Sequence, residues 1–216
     1  MNYYWLFYIS ELTLTSGLAA VIFSTIVVMN MLNGAIFLKN RLELRVVIGA
    51  VFGLSGIILV FWAEVSDFET GSENLFAATL AVLATFLASL GNIASARNQR
   101  EGIPVVQSNT YGMTYGALLM LVLAWSTGRE FNFEFTVSYV SSLVFLSVFA
   151  SIIAFWSYLT LLGRVGVERA AYATLIFPLV ALGISTIFEG YQWSAYAVIG
   201  IVLILGGNLL ILKRSI

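Results

Sequence analysis

The stretch TSGLAAVIFSTIVVMNMLNGAIFL, residues 15–38, contains no charged side chain. A helix needs about 20 apolar residues to cross the hydrocarbon core of a bilayer, so this stretch is long enough to span one. Residues 3–14 form a shorter apolar stretch, which we expect to be the end of a longer span. Six further stretches of spanning length follow, at 43–63, 75–96, 104–127, 137–162, 168–188 and 194–212. The sequence therefore predicts an all-α integral membrane protein, a polytopic bundle of seven full spans and a partial one.

The composition supports this fold class and excludes several kinds of chemistry. Of the 216 residues, 60% are hydrophobic and 10% are charged, whereas soluble domains carry about 25% charged residues. The chain has no Cys and no His, which removes disulfides, thiolate nucleophiles and the common zinc sites. The sequence predicts no catalytic residue, metal or cofactor, and the net charge of −1 gives no indication of nucleic acid binding.

The basic residues predict the orientation of the bundle. When the connections are numbered alternately, Arg129 is the one basic residue that falls on its side of the membrane. The other nine basic residues share the opposite side, which the positive-inside rule assigns to the cytoplasm. These nine are Lys39, Arg41, Arg45, Arg97, Arg100, Arg164, Arg169, Lys213 and Arg214. We therefore expect a multi-pass protein of an inner or plasma membrane with its C-terminus in the cytoplasm.

The two ends of the chain match each other at an offset of 151 residues. Trp5 aligns with Trp156, Gly49 with Gly200, and Gly56 with Gly207. The predicted orientation places the span at 15–38 and its partner at 168–188 in opposite directions across the membrane. An inverted repeat of this kind is typical of alternating-access transporters, while a duplication kept only for packing is the alternative.

The same residues resemble the drug/metabolite transporter superfamily, in particular its EamA-like branch. The resemblance rests on TSGLAAVIFS at residues 15–24 and on GVERAAYATLIFP at residues 166–178. It also includes the glycines of the two helices that follow, at 49, 53, 56, 200, 206 and 207. Two positions depart from the family pattern: Lys39-Asn40-Arg41 replaces a Gly-Glu-Arg turn, and Val27 replaces a proline that Pro178 retains in the second copy.

The resemblance implies ten helices in two inverted five-helix repeats. Residues 1–63 then correspond to the C-terminal part of the first repeat, with part of its third helix and its fourth and fifth helices. Residues 75–212 correspond to a complete second repeat, helices six to ten. On this alignment the first two helices and most of the third have no counterpart in the chain, so we expect a longer gene product.

Polar side chains inside spans are the candidates for contact with a solute, because polar groups facing lipid are costly. Asn30 and Asn33 lie three residues apart and hence on one face of their helix. They would either line a cavity or bond neighbouring helices, and the sequence favours neither. For Ser89 and Asn92, which have the same spacing, packing is favoured.

Four further cavity candidates follow from the resemblance, which places the eighth and ninth helices beside a central path. These are Trp156, Tyr158, Tyr172 and Thr174. Aromatic rings at such positions could stack on a metabolite or cover its apolar part.

Three single features complete the sequence predictions. Glu11 is a candidate for coupling protons to transport, although solvation near the outer boundary is the favoured interpretation. Pro178 is expected to bend its helix, because it frees a carbonyl inside a span. The spaced glycines allow helices to approach closely and are compatible with a homodimer.

These observations favour a carrier of small metabolites or drugs, in contact with membrane lipids and with a small-molecule substrate, amino acids among the candidates. A retinal pump needs a Lys inside a span, and a channel needs charged rings or filter carbonyls; neither is present in the sequence. A membrane enzyme lacks residues for acid–base or metal chemistry. An inactive fragment of a carrier and a non-transport membrane protein are the remaining alternatives.

Overall fold

A computed structural model describes residues 3–68, 71–128, 132–188 and 193–212 of the chain. Its elements in chain order are α1 (Tyr3–Glu11), α2 (Ser16–Ser24), α3 (Ile26–Leu38), α4 (Leu44–Val60), α5 (Trp62–Ser66), α6 (Ser72–Arg100), α7 (Val105–Ser126), α8 (Val137–Phe145), a π-helical segment (Leu146–Ile153), α9 (Ala154–Val165), α10 (Val167–Thr174), α11 (Ile176–Phe188) and α12 (Ala195–Leu212). Part of the evidence for the predicted orientation and repeat lies outside the described part: the basic residues Arg129, Lys213 and Arg214 and the side chain of Trp5.

The helices coincide with the predicted spans, and the all-α fold is confirmed. In the described residues, three helical stretches are long and apolar enough to cross a membrane: Ser16–Leu38, Ser72–Arg100 and Val137–Val165. Leu44–Val60 and Ala195–Ile211 are shorter apolar helices. The boundaries follow local signals. Thr15 caps α2 by accepting a hydrogen bond from the Leu18 amide, and Pro104 directly precedes α7, where its missing N–H costs little.

Two predicted spans are interrupted near their middle. The first breaks at Thr25, between α2 and α3, and the second at Leu175, between α10 and α11. Pro178 lies three residues beyond the second break and cannot donate to the carbonyl of Thr174. The first break has no proline. There the Ser24 and Thr25 hydroxyls donate to the carbonyls of Ala20 and Ile22, a pattern of back-bonding that often bends helices.

The last helices of the two repeats, α4 and α12, pack against each other through glycines. A Cβ on Gly56 would lie 2.6 Å from the Gly200 carbonyl oxygen, and a Cβ on Gly207 would lie 2.9 Å from that of Gly49. Residues early in α4 thus meet residues late in α12, so the helices are antiparallel. Gly49 and Gly56 are the repeat partners of Gly200 and Gly207, and the glycine contacts therefore map onto themselves when the two repeats are exchanged. This is the packing expected of an inverted repeat.

The buried core lies among α3, α4, α6, α10, α11 and α12. Its most enclosed large side chains include Val27, Ile57, Leu175 and Ile204. By contrast, residues 132–150 are all exposed and predominantly apolar. Exposed apolar side chains on a helix of spanning length are suited to contact with lipid.

Basic connections meet at one end of the bundle, as the charge pattern requires. Arg100, at the end of α6, donates to the Leu38 carbonyl and to Asn40, in the loop that follows α3. Arg169, in the first turn of α10, pairs with Glu43 in the same loop. We call this end of the bundle the basic end.

Candidate functional site

An alanine-rich face lets α6 approach its neighbours closely. Ala77, Ala81, Ala84 and Ala88 are buried and recur at intervals of three or four residues, so they share one face of the helix. α6 packs against α1, α2 and α3. Since alanine side chains are short, this contact brings the polar side chains of α3 and α6 within hydrogen-bonding range.

Five polar side chains from three helices lie together, four of them buried and Tyr158 partly buried, and we call them the polar cluster. They are Asn30 and Asn33 from α3, Ser89 and Asn92 from α6, and Tyr158 from α9. Each pair on α3 and α6 is spaced by three residues, so both of its members face the same neighbour. The cluster therefore joins a helix of the first repeat to two helices of the second.

Hydrogen bonds connect the cluster across the helices. Asn33 Nδ2 donates to Ser89 Oγ at 2.9 Å. Asn92 Nδ2 donates to Tyr158 Oη at 3.1 Å and to Asn30 Oδ1 at 3.4 Å. Intramembrane hydrogen bonds between side chains contribute about 0.6 kcal/mol each on average, so the cluster stabilises the bundle modestly.

One donor in the cluster has no partner among the described residues. Asn30 is completely buried, and its Nδ2 lies without a hydrogen-bond acceptor. A buried polar group left unpaired costs about 1–3 kcal/mol. Asn30 therefore offers an N–H that favours an acceptor oxygen from another molecule.

The chemistry of the cluster is that of neutral hydrogen bonding. It contains three carboxamides, one aliphatic hydroxyl and one phenol, and none of these is a fixed charge. Such groups recognise carbonyl, hydroxyl and amine functions through donors and acceptors placed in a dry environment. In the described residues, no group of three or more acidic side chains is placed to hold a metal ion.

The structure brings together three of the six cavity candidates and separates the other three. Asn30, Asn33 and Tyr158 meet in the polar cluster. Trp156 is about half exposed. It lies two residues before Tyr158 and therefore on a different face of the helix. A cavity role for Trp156 stays a prediction.

The two candidates on α10 make contacts within the bundle. Tyr172 is buried, and its Oη donates to the Val46 carbonyl of α4 at 2.8 Å. Thr174 Oγ1 donates to the Ala171 carbonyl of its own helix at 2.5 Å. The hydroxyl hydrogens of Tyr172 and Thr174 are both used in these bonds. Each side chain would therefore contact a solute through the lone pairs of its oxygen or through its carbon atoms.

The single-residue candidates lie outside the polar cluster. Glu11 is exposed at the C-terminal end of α1. Pro178 lies in the first turn of α11, just beyond the interruption at Leu175. Their roles in coupling and in bending stay predictions.

Packing is the role that the sequence favours for Ser89 and Asn92, and the structure joins these two residues to Asn30, Asn33 and Tyr158. The sequence indicated that Ser89 and Asn92 share one face of α6, because they have the same spacing of three as the asparagines of α3. The spacing did not predict that α6 is rotated so that this face packs against α3.

A model described as the EamA-like transporter family matches residues 75–213 of the chain. The chain belongs to this family. The match covers more than half of the EamA-like chain, and the antiparallel packing of α4 against α12 agrees with it.

Individual relatives are distant but extend over nearly the whole EamA-like chain. Protein PagO of Salmonella typhimurium is 23% identical over 210 residues, which cover 95% of this chain and 67% of PagO. The uncharacterized transporter YdfC of Bacillus subtilis is 24% identical over 207 residues, covering 95% of this chain and 65% of YdfC. An uncharacterized transporter of Clostridium kluyveri is 24% identical over 193 residues, covering 89% of this chain and 62% of the relative.

A solved crystal structure of a protein shares the fold. It has a TM-score of 0.80 and 20% sequence identity, and the match covers 97% of this chain and 71% of that one. The EamA-like chain therefore spans about two thirds of the length of the proteins that it matches.

Proposed function

We propose that this chain carries small, net-neutral or zwitterionic metabolites across a cell membrane by alternating access. The observation that carries the proposal is the antiparallel packing of α4 and α12, in which Gly56 meets Gly200 and Gly49 meets Gly207. Two copies of one unit that lie upside down to each other can exchange their conformations. Such an exchange closes one end of a central path while it opens the other. The repeats would comprise residues 1–63 and 75–212.

The polar cluster is the proposed solute-binding site. It lies at the contact between a helix of the first repeat and two helices of the second, where a rocking motion would change its surroundings. Asn30 Nδ2 supplies an unpaired donor for a solute oxygen, and Asn92 and Tyr158 flank it. Because the cluster holds no fixed charge, it favours solutes whose charges are absent or balanced, with neutral amino acids as the first class to test.

Transport in reconstituted vesicles tests this proposal. Uptake and efflux of labelled neutral amino acids and other small metabolites would be compared for the unaltered protein, Asn30→Ala and Asn92→Ala. We expect both variants to lower transport at least tenfold, because each removes an amide from the site. Trp156→Ala, in the same assay, tests whether the exposed indole also contributes.

Asn208→Ala is the matched control. Asn208 is also a buried asparagine, but its Nδ2 donates to the Ile204 carbonyl of its own helix, α12. We expect this variant to transport at the unaltered rate. If the unaltered protein moves none of the solutes tested, the proposed function is wrong. If Asn208→Ala is as defective as Asn30→Ala, the proposed binding site is wrong.

A further inference from the structure

The loop between α3 and α4 is bound to two helices of the second repeat at the basic end. Asn40 Nδ2 donates to Glu168 Oε1 at 2.5 Å, and Arg100 donates to Asn40 Oδ1 at 2.6 Å and to the Leu38 carbonyl at 3.0 Å. Arg169 donates from one guanidinium nitrogen to both carboxylate oxygens of Glu43, each at 3.2 Å. We call Asn40, Glu43, Arg100, Glu168 and Arg169 the latch residues.

The backbone places these side chains by local geometry. Lys39 ends α3 in the left-handed conformation, with φ 54°, and the Asn40 amide then donates back to the Gly34 carbonyl at 3.2 Å. This helix ending fixes Asn40 beside the last turn of α3. Gly34 leaves room for the carboxylate, since a Cβ there would lie 2.5 Å from Glu168 Oε1.

The position of Glu168 is electrostatically favourable. It lies in the first turn of α10, where the partial positive charge of a helix N-terminus stabilises a carboxylate. The Arg100 guanidinium donates to Asn40, which in turn donates to the Glu168 carboxylate, so a positive charge lies one residue away from that carboxylate. The latch is therefore a connected set of charged and polar groups that joins the first repeat to the second.

Three of the latch residues have uncharged counterparts in the other repeat. At the repeat offset of 151, Glu168 and Arg169 correspond to Gly17 and Leu18, and Glu43 corresponds to Ser194. Gly17 lies instead against Phe61 and Glu64, since a Cβ there would be 2.8 Å from the Phe61 ring. The two repeats are thus alike in helix packing and differ in charge at these three positions.

We propose that the latch residues form a gate that holds the basic end closed and biases the carrier toward the conformation open at the opposite end. This inference rests on the proposed alternating-access function. The basic end is the one that the charge pattern assigns to the cytoplasm. Opening it separates the loop at residues 39–43 from α6 and α10, and so breaks the latch bonds.

The expected size of the bias follows from exposure. The side chains of Arg169 and Glu43 are 39% and 54% exposed, so their pairing is screened by solvent. Exposed ion pairs change an equilibrium constant by between about 1.4-fold and fivefold. Loss of the Arg169–Glu43 pair should therefore raise the population open at the basic end by about 1.4- to fivefold.

Cysteine labelling in inverted and right-side-out vesicles tests the gate without any substrate. The chain has no cysteine, so a single introduced thiol is the only target in it. Met31 is buried beneath the latch, where it lines a cavity of about 30 Å³ with Glu43, Glu168 and Arg169. In a Met31→Cys background, Arg169→Gln or Glu43→Gln should accelerate labelling by an impermeant maleimide from the basic end by about 1.4- to fivefold.

Three comparisons distinguish a gate from loosened packing. The exchanged pair Glu43→Arg with Arg169→Glu should restore slow labelling. Arg97→Gln removes the Arg97–Glu101 ion pair within one turn of the α6 terminus and should leave the rate unchanged. Ser10 is buried in the last turn of α1, at the end of the bundle away from the latch. A cysteine at this position should not be labelled faster from that end of the bundle when Arg169 is changed.

An unchanged Met31→Cys rate in Arg169→Gln overturns the proposal, and so does faster labelling at both reporters. The labelling result is independent of the transport assay. If no solute is carried but the reporters respond as expected, the gate stands and the proposed solutes are wrong. If transport is observed but the reporters do not respond, the carrier stands and the gate is wrong.

Discussion

Replacing Gly56 with alanine tests the packing on which the inverted repeat depends. The added Cβ would lie 2.6 Å from the Gly200 carbonyl oxygen, about 0.8 Å inside the ordinary contact limit of 3.4 Å. It would also lie 2.6 Å from Ile204 Cγ1 and 3.0 Å from the Ile204 amide nitrogen. Two of these three obstacles are backbone atoms of α12, so rotation of the Ile204 side chain cannot relieve the overlap. The helices must separate, and a gap of 0.5–1 Å forfeits about a quarter to a half of the dispersion energy of each contact.

We expect Gly56→Ala to lower the free energy of unfolding by about 1–3 kcal/mol, the usual cost of overpacking. For a protein of this length, that corresponds to a decrease in Tm on the order of 2–12 °C. Thermal unfolding in detergent, followed by the fluorescence of the five tryptophans, measures it. Gly200→Ala should have a similar effect, because its Cβ would lie 2.5 Å from the Gly56 carbonyl oxygen.

Gly91→Ala is the matched control, since Gly91 lies within α6 and a Cβ there would meet nothing within 4 Å. Alanine has the higher helix propensity, so this variant should be neutral or more stable by up to about 1 kcal/mol. Gly56→Ala combined with Gly200→Ala should cost less than the sum of the two, because one displacement of the helices relieves both clashes. Equal Tm values for Gly56→Ala and Gly91→Ala would refute the close approach of α4 and α12.

Three further predictions concern single contacts and topology. Gly163→Ala should lower the free energy of unfolding by about 1 kcal/mol, because its Cβ would collide with the Gln99 amide that donates to the backbone of α9. In a Gln99→Ala background, Gly163→Ala should have no effect on stability. Chemical unfolding of the two single variants and of their combination tests this prediction. Tyr172→Phe should cost about 0.5–1.5 kcal/mol in the same measurement through the lost bond to the Val46 carbonyl, and an unchanged stability would contradict that bond. A cysteine in place of Gly128 should be labelled only from outside the cell and a C-terminal tag detected only from inside, whereas exposure of both on one side would contradict the predicted orientation.

The positions of the helices were predictable from the sequence. A bilayer offers no partner for backbone N–H and C=O groups, so every span must be a helix of nearly fixed length in apolar residues. The prediction of a span at 104–127 therefore falls within one residue of α7, at Val105–Ser126. The repeat offset was also present in the sequence, and the facing of Gly56 with Gly200 agrees with it.

The interruptions were only partly predictable. Pro178 indicated a bend in the second copy, and the helix is interrupted nearby, at Leu175. The corresponding break at Thr25 has no such marker, because Ser and Thr also occur in straight helices. Only the hydrogen bonds of the Ser24 and Thr25 hydroxyls to the preceding turn reveal it.

Hydropathy is a property of consecutive residues, so the sequence determined which segments lie in the membrane and which ends carry the positive charge. It could not determine how each helix is rotated about its axis, because that depends on packing against residues far away in the chain. Asn30 and Asn92 are 62 residues apart, and the alanine face of α6 brings them together. Glu168 reaches Asn40, 128 residues away, because Gly34 leaves the space. The polar cluster and the latch therefore exist only in the folded bundle, where small residues set the distance between helices.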